Sequence, residues 1–430
     1  MDKNRSGGAM RAETAVVGAG ASGCMAAVSA ALAGCGVTLI DANDKIARKI
    51  YATGNGRCNL TNLHMAENCY HAGGGEDLSA FFARFSVEDH MRFWEERGVL
   101  LHDRQGYVYP LTDQASTIAE AYEKILRQLG VRILLGERVT SVKTQGNGPG
   151  GRFEVRTDKG SVIRAGKVIL AGGGMAGPQY GCSGDLYRIA GELGHTVVKP
   201  LPALVPLLSG DKTLKASAGA RCDARIRLCL DQREAAAERG ELQMTEKGIS
   251  GIPVFQLSAQ AARALDRGVK VEAVIDFLPD MDEETWKREK DRRLGENRNC
   301  MLGTFFLGLV NRKILDMILR RRGLQAENKA SKLPDEVLSG ILEDMRAVPV
   351  GITGTGGFRQ AQVTSGGIPL AETDGNLQSL TCRGLYLAGE LLDVDGICGG
   401  YNLQWAAASG WIAGRSAAAA QDQRHKEESI

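Results

Sequence analysis

The sequence lacks the charge imbalance and the cysteine patterns that mark several specialised classes of protein. Its 430 residues carry a formal net charge of only +2, so no large positive field for attracting nucleic acid or anionic lipid is expected. The ten cysteines include no CxxC pair and no compact group with histidine, which argues against a zinc site and against a disulfide framework. The sequence therefore predicts no metal, no nucleic-acid partner and reduced thiols in a cytoplasmic protein.

Long apolar runs are also missing. The best of them, residues 301–310 (MLGTFFLGLV), is too short to cross a bilayer, and residues 1–13 lack the apolar core of a signal peptide. With 43% apolar and 24% charged residues, the composition is that of an ordinary globular protein. We expect no membrane attachment, a monomer or a homodimer, and a small-molecule substrate.

Residues 13–43 (ETAVVGAGASGCMAAVSAALAGCGVTLIDAN) follow the order strand, glycine turn, small-residue helix and strand. Both strands are continuously apolar, which is typical of a parallel sheet that is buried on both faces. This βαβ unit predicts an α/β protein with a Rossmann-like domain. Farther along the chain, residues 79–98 (SAFFARFSVEDHMRFWEERG) and residues 114–130 (QASTIAEAYEKILRQLG) have the period of amphipathic helices.

The glycine turn of this unit has the pattern GxGxxG, formed by Gly18, Gly20 and Gly23. The first glycine permits a tight turn, the second lets the backbone approach a pyrophosphate, and the third allows close packing of the helix. Asp41 ends the second strand, where a carboxylate accepts hydrogen bonds from an adenosine ribose. Because an acid there repels a 2′-phosphate, the pattern favours FAD or NAD over NADP.

A second glycine loop near the C-terminus distinguishes between these two dinucleotides. Residues 385–406 (LYLAGELLDVDGICGGYNLQWA) form a strand, then Glu390, then a loop with Gly399 and Gly400 that leads into a helix near Asn402. A second helix N-terminus can face a phosphate or a flavin carbonyl, and Glu390 can reach a ribityl hydroxyl. NAD needs one such end, whereas the longer FAD molecule needs two.

Four motifs together closely resemble the YhiN-like family of FAD-dependent oxidoreductases. They are GAGASGCMAA, RKIYATGNGRCNLTN, ILAGGGMAGPQYGCSGDLYRIAGELGH and GLYLAGELLDVDGICGGYNLQWAAASG. The family includes members described as aminoacetone oxidases and as BaiN-type bile-acid reductases, and the resemblance extends over nearly the whole chain. Two departures concern loop geometry: the family commonly has glycine at the position of Ala47, and threonine at that of Gly172.

The resemblance implies a discontinuous FAD-binding domain with non-covalent FAD. By this resemblance and by the two glycine loops, the predicted cofactor-binding residues are Gly18, Gly20, Ala21, Ser22, Gly23, Asp41, Lys49, Gly54, Asn55, Gly56, Arg57, Cys58, Asn59, Val139, Ala171, Gly172, Gly389, Glu390, Gly399, Gly400, Tyr401, Asn402 and Gln404.

The predicted domains combine the resemblance with the texture of the sequence. Residues 1–197 and 362–430 are assigned to the FAD-binding domain, residues 198–278 and 343–361 to a β-rich domain, and residues 279–342 to a helical subdomain. Both ends of the chain carry alanine-rich helices, so we place these helices in the same domain.

The predicted activity is hydride transfer between FAD and a small or medium apolar substrate. Reduction of an enone C=C in a steroid or bile acid is the leading hypothesis, with NAD(P)H as a transient electron donor. The alternatives are an amine or aminoketone oxidase that produces peroxide, and a tRNA-modifying or redox-sensing flavoprotein. No catalytic residue is assigned: Cys58 and Cys398 lack the pairing of disulfide reductases, and Tyr401 either donates a proton or covers the cofactor.

Overall fold

The computed structural model describes residues 9–145, 153–295 and 298–427. The α-helices within them are α1 (Ala21–Leu32), α2 (Ser79–Phe82), α3 (Val87–Glu95), α4 (Ala115–Gln128), α5 (Asp185–Glu192), α6 (Ile252–Asp266), α7 (Glu283–Leu294), α8 (Leu302–Phe305), α9 (Arg312–Arg321), α10 (Asp335–Asp344) and α11 (Tyr401–Glu427). In these residues no helix has both the length and the hydropathy of a membrane span.

The strands fall into a parallel-rich set, an antiparallel set and several short pairs. In chain order they are β1 (Met10–Val17), β2 (Val37–Asp41), β3 (Thr61–Asn62), β4 (Tyr70–Ala72), β5 (Leu101–Arg104), β6 (Tyr107–Pro110), β7 (Arg132–Leu135), β8 (Val139–Thr144), β9 (Phe153–Thr157), β10 (Val162–Leu170), β11 (Val198–Ala203), β12 (Leu207–Leu208), β13 (Arg221–Leu230), β14 (Arg233–Thr245), β15 (Gly248–Gly251), β16 (Val271–Asp276), β17 (Val348–Ile352), β18 (Gly354–Thr355), β19 (Val363–Gly367), β20 (Leu385–Leu387) and β21 (Val394–Gly396).

The chain divides into two compact units, Met1–Pro200 with Val363–Ile430, and Leu201–Gln362. The first unit is built on a sheet in the order β7-β2-β1-β10-β9-β8, with β20 also paired to β10. Strands β7, β2, β1, β10 and β20 are parallel, whereas β9 pairs antiparallel with β10 on one side and with β8 on the other. The predicted α/β class with a Rossmann-like parallel sheet is confirmed, and the functional loops lie at the carboxyl ends of its strands.

Helices α1 and α11 pack against each other almost backbone to backbone. A Cβ added at Gly410 would lie 2.3 Å from the carbonyl oxygen of Ser22, and one added at Gly414 would lie 2.3 Å from that of Ala26. The Ser29 hydroxyl donates a hydrogen bond of 2.7 Å to the Trp411 carbonyl. Small residues at both ends of the chain therefore permit this contact, which holds the two glycine loops in one unit.

The single amphipathic helix predicted for residues 79–98 is wrong, because the structure has two helices there. Ser86 lies in extended backbone between α2 and α3 and caps the second helix: its side chain accepts from the Asp89 amide, and the Asp89 carboxylate accepts from the Ser86 amide. Such a capping box satisfies backbone donors that a continuous helix would have bonded. The apolar period continues through this break, so periodicity alone does not reveal it.

The second unit contains an antiparallel sheet in the order β17-β16-β13-β14-β15-β12-β18. Its core combines this sheet with apolar side chains of helices α6 to α10, among them the buried Leu257, Trp286, Ile318 and Leu342. This unit thus contains both strands and helices around a shared core. A separate helical subdomain at residues 279–342 stays a prediction.

Candidate cofactor and active site

The turn into α1 contains three glycines, of which two have no room for a side chain and one does. Gly18 has a φ of +101°, and an added Cβ would lie 2.5 Å from the Ala171 carbonyl oxygen. A Cβ at Gly23 would lie 1.8 Å from the carbonyl oxygen of Gly18. A Cβ at Gly20 would meet nothing within 4 Å. The packing of the protein thus requires Gly18 and Gly23, whereas Gly20 leaves open space at the start of the helix.

Helix α1 begins without a side-chain cap. Its N-cap residue is Gly20, in extended backbone with φ −75°, which has no side chain that could bond the first turn. The amide groups and the positive dipole end of the helix therefore face the open space at Gly20, which is the arrangement that binds the pyrophosphate of a dinucleotide.

Asp41 is fixed beside this turn at the end of β2. One carboxylate oxygen accepts a hydrogen bond of 2.6 Å from the Ala19 amide, and the other accepts bonds of 2.7 and 2.9 Å from the amide and the side chain of Asn43. An ionised carboxylate has about four acceptor positions, so capacity remains for ribose hydroxyls. Asn43, which the sequence analysis missed, orients the predicted ribose acceptor.

The loop that contains residues 47–59 is an exposed turn whose shape depends on left-handed backbone. Positive φ angles occur at Ala47 (56°), Gly54 (56°), Asn55 (54°), Gly56 (85°) and Cys58 (62°). Ala47 is a non-glycine residue in this region where, by resemblance, glycine is common, and its amide donates a 2.7 Å hydrogen bond to the Ala19 carbonyl. The loop is therefore held directly under the turn into α1.

The side chains of this loop separate into exposed and buried groups. Asn55 and Arg57 are exposed, whereas Cys58 and Asn59 are buried. Burial raises the pKa of the Cys58 thiol to about 12, and it also raises the pKa of Cys398. Because the thiolate is the reactive form of cysteine, these shifts favour a packing role for both residues.

Lys49 and Glu390 come from opposite ends of the chain and form an ion pair. Lys49 Nζ donates to Glu390 Oε2 at 2.8 Å, and the Thr364 amide donates to Glu390 Oε1 at 2.8 Å. Burial is the largest effect on Lys49 and lowers its pKa, but the charge of Glu390, the neighbouring Cys182 and the hydrogen bond to Glu390 together outweigh it, so the net pKa is raised. The pair thus presents a fixed ammonium and a fixed carboxylate between the two glycine loops.

The backbone at the start of α11 is held by hydrogen bonds to the side chains of Asn402 and Asn62. Asn402 Oδ1 accepts from the Gly396 amide and its Nδ2 donates to the Gly396 carbonyl, both at 2.8 Å. A Cβ at Gly400 would lie 2.6 Å from the Thr61 carbonyl oxygen, and Asn62 Nδ2 donates to the Gly399 carbonyl at 3.0 Å. The second glycine loop is therefore closed onto strand β3.

Tyr401 and Gln404 also direct their polar groups into the protein. The Tyr401 hydroxyl donates to the His64 carbonyl at 2.8 Å. Gln404 Oε1 bonds His90 Nδ1 at 2.9 Å, and its Nε2 donates to the Phe85 carbonyl at 3.2 Å. Burial lowers the pKa of His90 to about 4, although the bond to Gln404 opposes this shift. His90 is neutral at pH 7, and its Nδ1–H donates to Gln404.

The remaining predicted residues surround the same turn or lie next to it. The Ala171 amide, at the end of β10, donates to the Val17 carbonyl at 2.8 Å. A Cβ at Gly389 would lie 2.4 Å from Ser22 Oγ, and one at Gly172 would lie 2.5 Å from Leu186 Cδ1. Ala21 is the first residue of α1. Val139 is buried at the start of β8 and stays a prediction as a cofactor contact.

Two observations show that these residues fit an elongated dinucleotide such as FAD. The protein leaves the space above Gly20 open. In addition, Asn59 Oδ1 and Thr61 Oγ1 are buried beside the second glycine loop without a hydrogen-bond partner in the part of the chain that the structure describes. Buried polar atoms of this kind are costly unless a ligand or water satisfies them. A cofactor that reaches from Gly20 to Asn59 would satisfy both ends.

A group that the sequence analysis did not identify lies on β4, on β21 and at the residue just before β21. It consists of His71, Asp393 and Asp395, whose ligand atoms all lie within 4.8 Å of one another. The DVD pattern of residues 393–395 was a signal for it, because alternate residues of a strand share a face.

The comparisons with known proteins agree with this arrangement. The HI0933-like protein Rossmann domain matches residues 12–416. A 3-dehydro-bile acid delta(4,6)-reductase from Clostridium scindens is 37% identical over 94% of this chain and 98% of its own length. Ribosomal RNA dihydrouridine synthases from Haemophilus influenzae and Escherichia coli are 30% and 29% identical, over 93% and 96% of this chain and 96% and 99% of their own lengths.

These matches confirm the predicted family resemblance and the predicted enzyme class, a FAD-dependent oxidoreductase. By its match over nearly the whole chain, the protein belongs to the HI0933-like Rossmann-domain family.

Proposed function

We propose that this enzyme reduces a carbon–carbon double bond that is conjugated with a carbonyl group. The observation that carries the proposal is the chemistry shared by its relatives. A bile acid delta(4,6)-reductase and a dihydrouridine synthase carry names that describe different substrates, but each name implies that hydrogen is added across a C=C of a ring. In 3-oxo-Δ4 steroids and in uracil this bond is conjugated with a carbonyl.

The preferred substrate is an enone of a steroid or bile acid. The relative of this type has the higher identity, 37% against 30%. The formal net charge of +2 also offers little attraction for a polyanion such as ribosomal RNA. Reduction of a uracil base in RNA is the second candidate, and two relatives named as dihydrouridine synthases support it. The absence of a nucleic-acid partner therefore stays a prediction.

The residues of the two loops would hold FAD along its length. The turn at Gly18–Gly23 would receive the pyrophosphate, Asp41 the adenosine ribose, and Lys49 with Glu390 the ribityl chain. When bound, FAD supplies a hydride to the β carbon of the enone. NAD(P)H is the proposed electron donor, and it would reach the flavin transiently because we assign the βαβ unit of residues 13–43 to FAD.

The reduction also needs a proton at the α carbon. Tyr401 is poorly suited to donate it, because its hydroxyl is bonded to the His64 carbonyl and burial raises its pKa. Cys58 is unsuited as well, since burial raises its pKa to about 12. We therefore propose that this proton comes from water, or from an acidic group that lies near the α carbon only when the substrate is bound.

The test is an anaerobic reduction of the yellow holoprotein with NADH or NADPH, followed at the flavin absorbance band. A 3-oxo-Δ4 bile acid, a uridine-containing ribosomal RNA fragment, aminoacetone and O₂ are then added separately. The proposal predicts rapid reoxidation by the enone and a product heavier by two hydrogens in mass spectrometry. Reoxidation by the RNA fragment alone would favour the second candidate.

Two results would contradict the proposed reduction. Peroxide formation coupled to oxidation of aminoacetone would instead indicate the oxidase alternative. A holoprotein whose reduced flavin is reoxidised by none of the unsaturated substrates would leave only a sensing role. A Cys398→Ser variant is the matched control, and we expect it to reoxidise with the enone at the rate of the wild type.

A further inference from the structure

The group of His71, Asp393 and Asp395 combines two buried carboxylates with a partly exposed histidine. The two strands pair antiparallel, with Asp395 directly opposite His71, and the Gly73 amide donates to the Asp393 carbonyl at 3.2 Å. Asp393 and Asp395 are 3% and 7% exposed, whereas the His71 side chain is 40% exposed. Two buried carboxylates therefore lie beside a partly exposed histidine.

The composition of this group suits a cation. It contains two carboxylates, those of Asp393 and Asp395, and one imidazole. A divalent cation can accept electron pairs from both carboxylates at once, and it binds imidazole in the neutral form.

A second observation points to a ligand at this position. Asp395 Oδ1 and His71 Nδ1 lie 3.4 Å apart, yet neither is hydrogen-bonded to the other or to any residue that the structure describes. Asp395 is more than nine-tenths buried, and its Oδ1 is one of the three atoms that lie within 4.8 Å of one another. Ligand atoms about 2.1 Å from one ion are separated by distances in this range.

We propose that His71 Nδ1 and one oxygen each of Asp393 and Asp395 bind a divalent cation. One imidazole nitrogen and two carboxylate oxygens suit Mn²⁺, Fe²⁺ or Zn²⁺ better than Mg²⁺, which prefers oxygen ligands alone. The open side at His71 leaves positions for water. The ion would join β4 to β21 just before Gly396, the residue that Asn402 holds at the start of α11. Its role would be to fix this loop, and the proposal does not depend on the identity of the substrate.

The test uses Mn²⁺ as the probe on the full-length holoprotein. The protein is stripped with EDTA, dialysed and titrated with Mn²⁺ while free Mn²⁺ is followed by electron paramagnetic resonance. We expect one Mn²⁺ per chain, displaced by Zn²⁺ and not by an equal concentration of Mg²⁺. Asp395→Asn and His71→Ala should each weaken Mn²⁺ binding by at least about 100-fold, since loss of even an outer partner of a metal ligand costs 10–100-fold.

The matched control is His102→Ala. His102 and Asp113 also form a histidine–carboxylate pair, with a distance of 3.1 Å from Nε2 to Oδ1, but they are not part of a group of three potential ligands among the described residues. Its Mn²⁺ affinity should equal that of the wild type. Two results would overturn the proposal: a wild-type protein that binds no Mn²⁺ or Zn²⁺ at millimolar concentration, or unchanged binding by the Asp395 and His71 variants.

A measurement without variants guards against misfolding of the substituted proteins. If the site exists, Mn²⁺ at 100 times its Kd should raise the Tm of the stripped wild type, because an ion that binds only the folded state stabilises that state. An unchanged Tm at that concentration would overturn the proposal even if the variants fail to fold.

Discussion

The two helix starts that border the predicted cofactor site are built in opposite ways. The start of α1 has no side-chain cap, because its N-cap is Gly20, and a Cβ added there would meet nothing within 4 Å. The start of α11 is closed by side chains, since Asn402 bonds both backbone groups of Gly396 and Gly400 lies against the Thr61 carbonyl. The start of α1 thus leaves room for a ligand, whereas the backbone before α11 is already bonded by side chains of the protein.

This difference teaches that a glycine pattern does not have one meaning. Gly18, Gly23 and Gly400 are required because other backbone atoms occupy the space of a side chain. Gly20 has no such reason within the protein, so its glycine is best explained by a phosphate that lies there. The following predictions test this contrast, from the largest expected effect to the smallest.

Replacement of Gly23 by alanine should have the largest effect. Its Cβ would lie 1.8 Å from the Gly18 carbonyl oxygen, and neither backbone segment can move without opening the contact between α1 and β1. We expect a loss of about 3 kcal/mol or more in the free energy of unfolding, measured by urea denaturation of the apoprotein. A stability equal to that of the wild type would show that this turn is not as tightly packed as we describe.

The stability of the closed α11 start should depend on pH through His90. Its pKa is about 4 in the folded state and about 6.5 when unfolded, so the unfolded chain binds the extra proton between these values. This contribution to stability is present above pH 6.5 and is lost as the pH falls toward 4. It amounts to about 3 kcal/mol, and urea denaturation between pH 7 and pH 4 measures it.

The control for this pH dependence is His90→Asn. An asparagine amide can replace the Nδ1–H donor toward Gln404 but does not titrate. The variant should lose less stability than the wild type between pH 7 and pH 4. Equal losses in both proteins would assign the acid sensitivity to other groups.

Removal of the Asn402 side chain should have a moderate effect. Asn402→Ala leaves the amide and the carbonyl of Gly396 without the two 2.8 Å bonds that they have now. We expect a loss of about 1–3 kcal/mol and faster hydrogen exchange in residues 396–400. Asn402→Asp keeps the acceptor for the Gly396 amide, and it should fall between alanine and the wild type. Unchanged exchange in the alanine variant would mean that the loop is held by other contacts.

The smallest effect is a gain at Ala47, which supports the α1 turn through its bond to Ala19. A φ of 56° strains alanine by about 1–2 kcal/mol. Glycine relieves this strain, but its greater conformational entropy in the unfolded chain offsets part of the gain. Ala47→Gly should therefore raise stability by about 0.5–1 kcal/mol, seen as a higher Tm in calorimetry. Gly20→Ala, the reverse exchange at a position without strain, is measured under the same conditions as the control. A lower Tm for Ala47→Gly would show that alanine is not strained at position 47.

Much of the first unit could be predicted from the sequence because its signals are local. The glycine spacing and the apolar runs around Gly18, Gly20 and Gly23 determine strand, turn and helix within a few residues. The break between α2 and α3 was missed, since an amphipathic period continued through Ser86 and the capping box is a weaker signal. Local patterns thus identify elements more reliably than the boundaries between them.

The partners of the site residues could not be predicted, because they come from distant parts of the chain. Lys49 and Glu390 were both expected to contact cofactor, but nothing in their neighbourhoods indicates that they bond each other. The same applies to the bond between Gln404 and His90 and to the position of His71 opposite Asp395 on paired strands. Family resemblance named most of the site residues, whereas only the folded chain shows which of them are already occupied by protein groups.

The most direct test of the central contrast is Gly20→Ala, measured in two ways on the same preparation. In the apoprotein its stability should stay within about 1 kcal/mol of the wild type, because the φ of −75° suits alanine and the space is open. Its affinity for FAD, measured by fluorescence quenching, should fall at least about tenfold, since the methyl group would occupy the position that we predict for the pyrophosphate. An unchanged FAD affinity in a folded variant would contradict our account of the site.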